Sequence, residues 1–354
     1  MYRSASAEPN GGMDVSARVR SLGATAKPGW RDRLDHRVLI QFVDMSVFRE
    51  TVAVSEPEAS VITLTYNRPD ALRRCLDSLA GQEVAADRFE VVLVDVSDEP
   101  VTAIVKEFAN RLQIRHVRAE NRGVAANRNV GAREATAPLL VFLDDDCCAE
   151  PNWLQKMVAA GAVSPGTLVG GGVRNVDPDN AVSVAGQVIT EAVDDFFNSG
   201  DGGPTFFPGL NFAVPREDYL ALGGCDESFG RLAAEDREFA SRWKASGRKM
   251  VAEPAAIVVH DHRQDLPGYI RQYFNYGKGA WVYHCRTKSH DNGVLVSAAS
   301  AHFGLLGRLG RPLRRLNFGM RLKVLLLLAA WEVSNLAGFA WQSIRPSSNN
   351  GETE

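Results

Sequence analysis

Between residues 59 and 144 the chain repeats one pattern: a short apolar run, then a stretch whose apolar positions recur at spacings of three and four. Ala59-Ser60-Val61-Ile62-Thr63-Leu64-Thr65-Tyr66 is rich in β-branched residues and stops at Asn67-Arg68-Pro69-Asp70. That reads as a buried strand, a turn, and a helix whose first turn accepts Pro69. Leu72, Cys75, Leu76 and Leu79 share one face of that helix. The alternation continues with a strand from Phe89 to Asp95, a helix near Thr102 to Arg111 and a strand from Ile114 to Arg118. A helix opening within Asn121 to Gly131 and a strand from Pro138 to Asp144 complete it. Strands and helices at this spacing predict βαβ units, hence an α/β fold with a mostly parallel sheet flanked by helices.

Ligands of such sheets sit beyond the carboxyl ends of the strands. Here those ends carry Thr65, Asp95 and the run Asp144-Asp145-Asp146. Three adjacent carboxylates repel one another, and a divalent cation with oxygen ligands relieves the repulsion. In an extended chain residues i and i+2 point the same way, so Asp144 and Asp146 can share one ion while Asp145 points elsewhere. The plainer alternative is an acidic loop after a strand.

After Trp153 the pattern changes. Leu168 to Val173 is a glycine-rich strand, and its glycines admit close approach of a ligand or another backbone. No Gly-x-Gly-x-x-Gly fingerprint is present. Asp194 to Gly203 reads as a loop, Phe206 to Val214 as extended chain, and Gly223 to Phe229 as a turn. A helix opens at Ala234-Glu235-Asp236, followed by strand-like pieces at Met250 to Glu253 and Ala256 to His260. Gly268 to Arg286 reads as an aromatic helix packed on the preceding domain.

From Arg308 to Lys323 the chain is basic, and Val324 to Ile344 is mostly apolar but interrupted by Glu332 and Asn335. Its length nearly suffices to span a bilayer, yet a central Glu is costly there. Peripheral contact with an anionic membrane face through 308–344 fits better, and a soluble amphipathic helix is the alternative.

Composition narrows this picture little. With 354 residues and a formal charge of −3, no basic field argues for nucleic acid. The five cysteines are odd in number and show no Cys-x-x-Cys spacing, which argues against a disulfide framework or a zinc site and for a reducing cytoplasm. No apolar segment near Met1 suggests a signal peptide. Residues 1–55 predict a largely flexible leader, with Arg37 to Val43 as a candidate strand, and 346–354 a flexible tail.

Taken in order, the motifs resemble a known family. They are Val-Ile-Thr-Leu-Thr-Tyr-Asn-Arg-Pro from Val61, Val-Val-Leu-Val-Asp ending at Asp95, and Asn121-Arg-Gly leading to Asn127-Arg128-Asn129-Val-Gly131. Then come Phe142-Leu-Asp144-Asp-Asp146, Gly223-Gly-Cys-Asp-Glu-Ser-Phe229, Glu235-Asp236 and Val258-Val-His260. From about Glu56 to Arg263 the sequence is similar to the family 2 glycosyltransferases. The resemblance implies a GT-A catalytic domain over 56–265, a helical C-terminal region over 266–345, and a nucleotide-sugar donor.

Carried over by position, Thr65 and Asp95 would hold the base of a UDP- or dTDP-sugar. Arg128, Asp144, Asp145 and Asp146 would line the donor, and Mn²⁺ or Mg²⁺ would be held by Asp144, Asp146 and His260. Asp236, with Glu235 beside it, would be the base that deprotonates an acceptor hydroxyl, with inversion at the anomeric carbon. Burial among other acids is expected to raise the Asp236 pKa. Asn211 and Trp153 are candidate acceptor contacts, and Phe196, Phe197, Phe206 and Phe207 could stack on sugar rings. One departure stands out: Val96 follows Asp95 where the family often has a second acid or an Asn.

Each assignment has a plain counterpart. Asp236 or Glu235 can cap a helix, His260 can be a core histidine with His262 as a rival ligand, Asp95 can form a turn, and Arg128 can be a surface charge. The implied partners are a UDP- or dTDP-sugar and a glycan or lipid-linked acceptor, at the inner face of the cytoplasmic membrane, in envelope polysaccharide or glycolipid synthesis. A nucleotidyltransferase and a non-catalytic nucleotide-sugar-binding protein are the alternatives.

Overall fold

A computed structural model describes residues 56–261, 264–287 and 302–344. The leader with its candidate strand at Arg37 to Val43, His262 and the tail 346–354 lie outside the described residues. The first half runs β1 (Ala59–Thr65), α1 (Pro69–Ala80), β2 (Phe89–Asp95), α2 (Thr102–Phe108), β3 (Ile114–Arg118), α3 (Val124–Glu134), β4 (Leu139–Leu143) and β5 (Cys147–Ala149). The second runs α4 (Trp153–Val163), β6 (Leu168–Asn175), α5 (Ala181–Asn198), β7 (Asn211–Pro215), α6 (Arg216–Ala221), α7 (Glu235–Ala245) and β8 (Met250–His260). Three helices close the chain: α8 (Leu266–Thr287), α9 (Gly310–Arg314) and α10 (Phe318–Ser343).

The eight strands form one sheet in the order β3-β2-β1-β4-β7-β6-β8-β5. The pairs β3–β2, β2–β1 and β1–β4 are parallel, as the alternating pattern predicts. The other half is mixed: β7 is antiparallel to β4 and β6, β6 is parallel to β8, and β5 is antiparallel to β8. Successive strand residues face opposite sides, and here both sides are covered. Val61, Leu93 and Val141 pack with Leu72 and Leu76 of α1 and Trp153 of α4. Ile62, Val92, Val94 and Phe142 pack on the other side with Ala132 of α3 and with Phe239 and Trp243 of α7. Double coverage is why these strands read as unbroken apolar runs.

The glycine-rich strand β6 makes room for this chain rather than for a ligand. A Cβ on Gly170 would lie 1.9 Å from the Phe207 ring, and one on Gly171 would lie 2.3 Å from the Asn211 amide. The register of β6 on β8 shifts between Gly171 and Gly172, which joins the two expected strand pieces into one.

The loop expected from Asp194 begins inside a helix. Asn180 accepts hydrogen bonds from the backbone N–H groups of Val182 and Ser183, which caps α5, and the helix runs to Asn198. Val184, Ala185, Val188, Ile189 and Ala192 form its buried stripe. Two acids near a helix C-terminus oppose the dipole, so Asp194 and Asp195 look like loop residues in sequence. In space Arg308 and Arg311 pair with Asp195 at 3.2 and 3.5 Å.

That stripe meets Tyr269 and Tyr273 of α8 and Val324, Leu328 and Trp331 of α10 in a third apolar cluster. The helices α8 and α10 approach to backbone contact at two glycines. A Cβ on Gly277 would lie 2.0 Å from the Asn335 carbonyl oxygen, and one on Gly338 would lie 1.9 Å from that of Phe274. A Cβ on Gly279 would lie 2.1 Å from the Ala233 carbonyl oxygen, so its absence seats α8 on the turn into α7.

Candidate active site

The acidic run lies between β4 and β5, and the short antiparallel pairing of β5 with β8 sets Cys147 opposite His260. The Asp261 N–H donates to the Asp146 carbonyl at 2.9 Å, which locks the pairing at the site. As a result His260 Nε2 lies 3.4 Å from Asp146 Oδ1 although the two residues are far apart in sequence. Burial disfavours the charged imidazole, but the Asp146 carboxylate outweighs it and His260 is shifted upward. Burial likewise opposes ionisation of Asp146, yet His260 and Arg68 hold its pKa well below the ordinary carboxylate range.

Arg68, in the turn between β1 and α1, bridges the run: Nη2 to Asp145 Oδ1 at 2.8 Å and Nη1 to Asp146 Oδ2 at 2.6 Å. Arg128, on α3, bridges further: it donates to Asp144 Oδ1 at 3.3 Å and to Glu235 Oε1 at 2.6 Å. It is therefore no surface charge, with its side chain only 5% exposed. Gly209 packs against its guanidinium, where a Cβ would lie 2.3 Å away. Asp236 lies beside this group and accepts from the Gly209 N–H at 2.9 Å through Oδ2 and from the Arg237 N–H at 2.7 Å through Oδ1. The carboxyl raised at this helix start belongs to Glu235: burial and the adjacent Asp236 push it up, against the pull of Arg128. Ala234, just before it, has φ of 80°, a left-handed conformation unusual for a residue with a Cβ.

So Arg128 joins Asp144 to Glu235, beside Asp236, while Asp146 joins His260 and Arg68; the two groups meet through the run Asp144 to Asp146 between β4 and β5. Asp144 departs from expectation. Its carboxylate turns to Arg128, and among the described residues the three-residue group that could hold a metal is Asp146, Cys147 and His260, with ligand atoms within 4.8 Å of one another. Carboxylate and imidazole suit Mn²⁺ or Mg²⁺. Cys147 adds little to them, because a thiol is a soft donor that suits neither ion. The residues present thus fit such an ion through Asp146 and His260.

The other expected contacts are buried in this structure. Asp145 is wholly buried, where burial pushes its carboxyl up to about 7 against the pull of its partner Arg68. Thr65 is 1% exposed, with its hydroxyl against Asp145. Asp95 is 0% exposed and both its oxygens are engaged. Oδ1 accepts from Ser97 N–H, and Oδ2 accepts from Val101 N–H, His116 and Arg118, each at 3.0 Å. It fastens the turn between β2 and α2, the plainer role its position allowed. Trp153 and Asn211 are both fully buried and satisfy each other: the indole N–H donates to Asn211 Oδ1 at 2.8 Å, and the Asn211 amide donates to the Gly172 and Ala256 carbonyls.

Sequence reasoning passed over Arg68 as part of a turn. The signal available was a cation directly after the first strand, at the same sheet edge as the acidic run. It also passed over Asn129, which accepts from Tyr219 OH and Cys225 N–H and donates to the Cys225 carbonyl. That clamp holds the Gly223 to Phe229 turn on α3, behind Arg128.

Residues 60–209 match the model of glycosyl transferase family 2. This segment belongs to glycosyl transferase family 2. Among similar family members, the validoxylamine A glucosyltransferase of Streptomyces hygroscopicus subsp. jinggangensis is 34% identical over 223 residues, covering 55% of this chain and 53% of that protein. The chondroitin synthase of Escherichia coli is 27% identical over 242 residues, covering 59% of this chain and 35% of that protein. The chain spans about half the length of the first of these relatives. The mannosyltransferase PcManGT of Pyrobaculum calidifontis, solved in complex with GDP-Man and Mn²⁺, superposes with a TM-score of 0.53 at 20% identity over 82% of this chain and 84% of that one. At that identity the likeness concerns the fold, which is the GT-A arrangement of a mixed sheet between helices.

Proposed function

We propose that this chain is an inverting, metal-dependent glycosyltransferase that moves a sugar from a nucleotide-sugar donor to a hydroxyl of a glycan or lipid-linked acceptor. The observation that carries this reading is Arg128, a buried cation whose ion pairs with Asp144 and Glu235 tie the acidic run after β4 to the start of α7. A metal held by Asp146 and His260 would supply a Lewis acid for the charge that develops on the departing diphosphate. Arg128 neutralises Asp144 and Glu235, which lowers the repulsion an anionic donor meets. Asp236 is aimed by two backbone N–H groups, so its carboxylate is held in one orientation while it takes the acceptor proton. Arg68 holds Asp146 Oδ2 and leaves Oδ1 toward His260.

UDP- or dTDP-sugars were expected through Asp95. Because Asp95 is engaged in its own turn, the donor panel includes GDP-sugars alongside them. The test is release of nucleoside diphosphate from that panel with Mn²⁺ or Mg²⁺, together with nucleotide binding with and without the metal. Asp236→Asn is expected to lower turnover by about 10²–10⁴-fold while nucleotide binding persists. Absence of metal-dependent nucleotide binding across the panel would overturn the reading.

Action at the inner face of the cytoplasmic membrane, in envelope polysaccharide or glycolipid synthesis, is part of the same proposal. Its support is α10, which is long and apolar enough to cross a membrane by length and composition. The helix exposes Phe318, Leu322, Leu326 and Val333. The adjacent basic patch supports it less than its composition suggests, because Arg308 and Arg311 pair with Asp195 and Arg315 pairs with Glu191. Full-length chain that stays wholly soluble at low salt counts against membrane docking.

A further inference from the structure

A cavity of about 530 Å³ lies between the end of α5, the segment 302–306 and helices α7, α8 and α10. Its walls are mainly apolar and aromatic, with Phe196, Phe197, Trp331 and Phe339 among them. Into it faces Arg237, the neighbour of Asp236, whose side chain takes a different course. The guanidinium lies 4.3 Å over the Tyr283 ring and 5.0 Å over Phe197. Its Nε is buried with no hydrogen-bond partner, and among the described residues no carboxylate pairs with it. Ring faces compensate a desolvated cation only in part. Burial accordingly lowers the Arg237 pKa.

The same wall carries Glu332, whose Oε1 is held by His302 while Oε2 is buried without a hydrogen-bond partner. The mouth is apolar as well. Phe303 and Leu336 line the cavity and are 70% and 51% exposed. On α10, Leu336 continues the exposed stripe of Leu322, Leu325, Leu326 and Val333 at helical spacing.

We infer that this cavity seats the head of a phosphate-bearing lipid, with the phosphate on Arg237 and the apolar chain leaving past Leu336 along α10. The monoanion of a phosphate monoester carries both complements the walls lack: an oxyanion for the guanidinium and a P–OH that can donate to Glu332 Oε2, a form the neighbouring carboxylate favours. An apolar body suits the aromatic walls and the exposed stripe, which inorganic phosphate would not use. The inference goes beyond the transfer reading and does not depend on it.

The test uses the full chain without nucleotide or metal, titrated calorimetrically with decyl phosphate below its micelle concentration, with inorganic phosphate and with decanol. Saturable binding of decyl phosphate is expected, with both other probes much weaker. Arg237→Leu is expected to weaken it by about 30-fold or more. Ala280→Phe, which fills the cavity from the α8 side, should weaken it without touching the cation. No saturable binding to the unaltered chain, or binding that both variants leave intact, overturns the inference. Inorganic phosphate binding as tightly as decyl phosphate reduces the cavity to a plain anion site, and decanol binding as tightly removes the role of Arg237; either result also overturns it. Because nucleotide is absent, failure here leaves glycosyl transfer to be judged on its own experiment.

Discussion

Arg128→Met is the most searching perturbation of the site. It removes the cation shared by Asp144 and Glu235 and leaves an unbranched side chain of comparable reach beside Gly209. Asp144, 34% exposed, regains water and contributes little to the loss. Glu235, with its side chain 7% exposed, cannot, and Asp236 adds a second negative charge next to it. Breaking a buried pair by removing one partner typically costs ~3–5 kcal/mol. The sign with pH follows from linkage. The Glu235 carboxyl is already raised in the folded chain, and loss of Arg128 raises it further. Such a group contributes stability that is fully present below the unfolded value of about 4.3 and is lost as pH rises through the folded value. The loss runs at ~1.4 kcal/mol per pH unit. The gap between wild type and variant should therefore be about 1 kcal/mol near pH 4.5, where only repacking differs. It should open to ~3–5 kcal/mol near pH 8. Urea unfolding at the two pH values measures it. Adding Glu235→Gln should recover roughly half of the loss near pH 8, since the charge left stranded is gone. A gap that is the same at both pH values, or a double variant no more stable than the single one, would refute the argument.

The remaining predictions are simpler. Ala234→Gly relieves the left-handed backbone at φ of 80° and should stabilise the fold by about 0.5–1 kcal/mol in thermal unfolding; a destabilised variant would show that the methyl group packs. Trp153→Phe strands the buried Asn211 oxygen and should cost ~1–3 kcal/mol with no change in acceptor KM, whereas a raised KM at unchanged stability would restore the acceptor role. Asp95, held at about 2 by its four partners after opposing its own burial, contributes stability present above the unfolded value near 3.9 and lost as pH falls toward 2. Asp95→Asn should thus cost roughly 2–3 kcal/mol at neutral pH and almost nothing near pH 2, read from denaturant titrations at both.

The family segment, the parallel half of the sheet and the start of α7 were all legible in the chain because their signals are local. An apolar run buried on both faces, a proline after a strand, and an acid pair opening a helix each carry their reason within a few residues. Asp144, Asp146, Arg128, Asp236 and His260 were recognisable as candidates for the same cause. Local signals do not say which way a side chain is partnered. Asp95 could be read as a strand-end carboxylate, but nothing local shows that His116 and Arg118 close on it from β3. Trp153 and Asn211 looked available and instead satisfy each other across the sheet. Asp194 and Asp195 near the end of α5 suggested a loop, but the distant Arg308 and Arg311 compensate Asp195.

What the amino-acid order determined alone was the four parallel strands β1 to β4 and the places where charge gathers at their ends; the short β5 was not among the expected strands. Tertiary structure decided which charges meet. The pairing of β5 with β8 brings His260 to Asp146, and the reach of Arg128 from α3 joins Asp144 to Glu235. Those contacts depend on strand order and helix placement, which are properties of packing among elements far apart in sequence, and no local pattern records them.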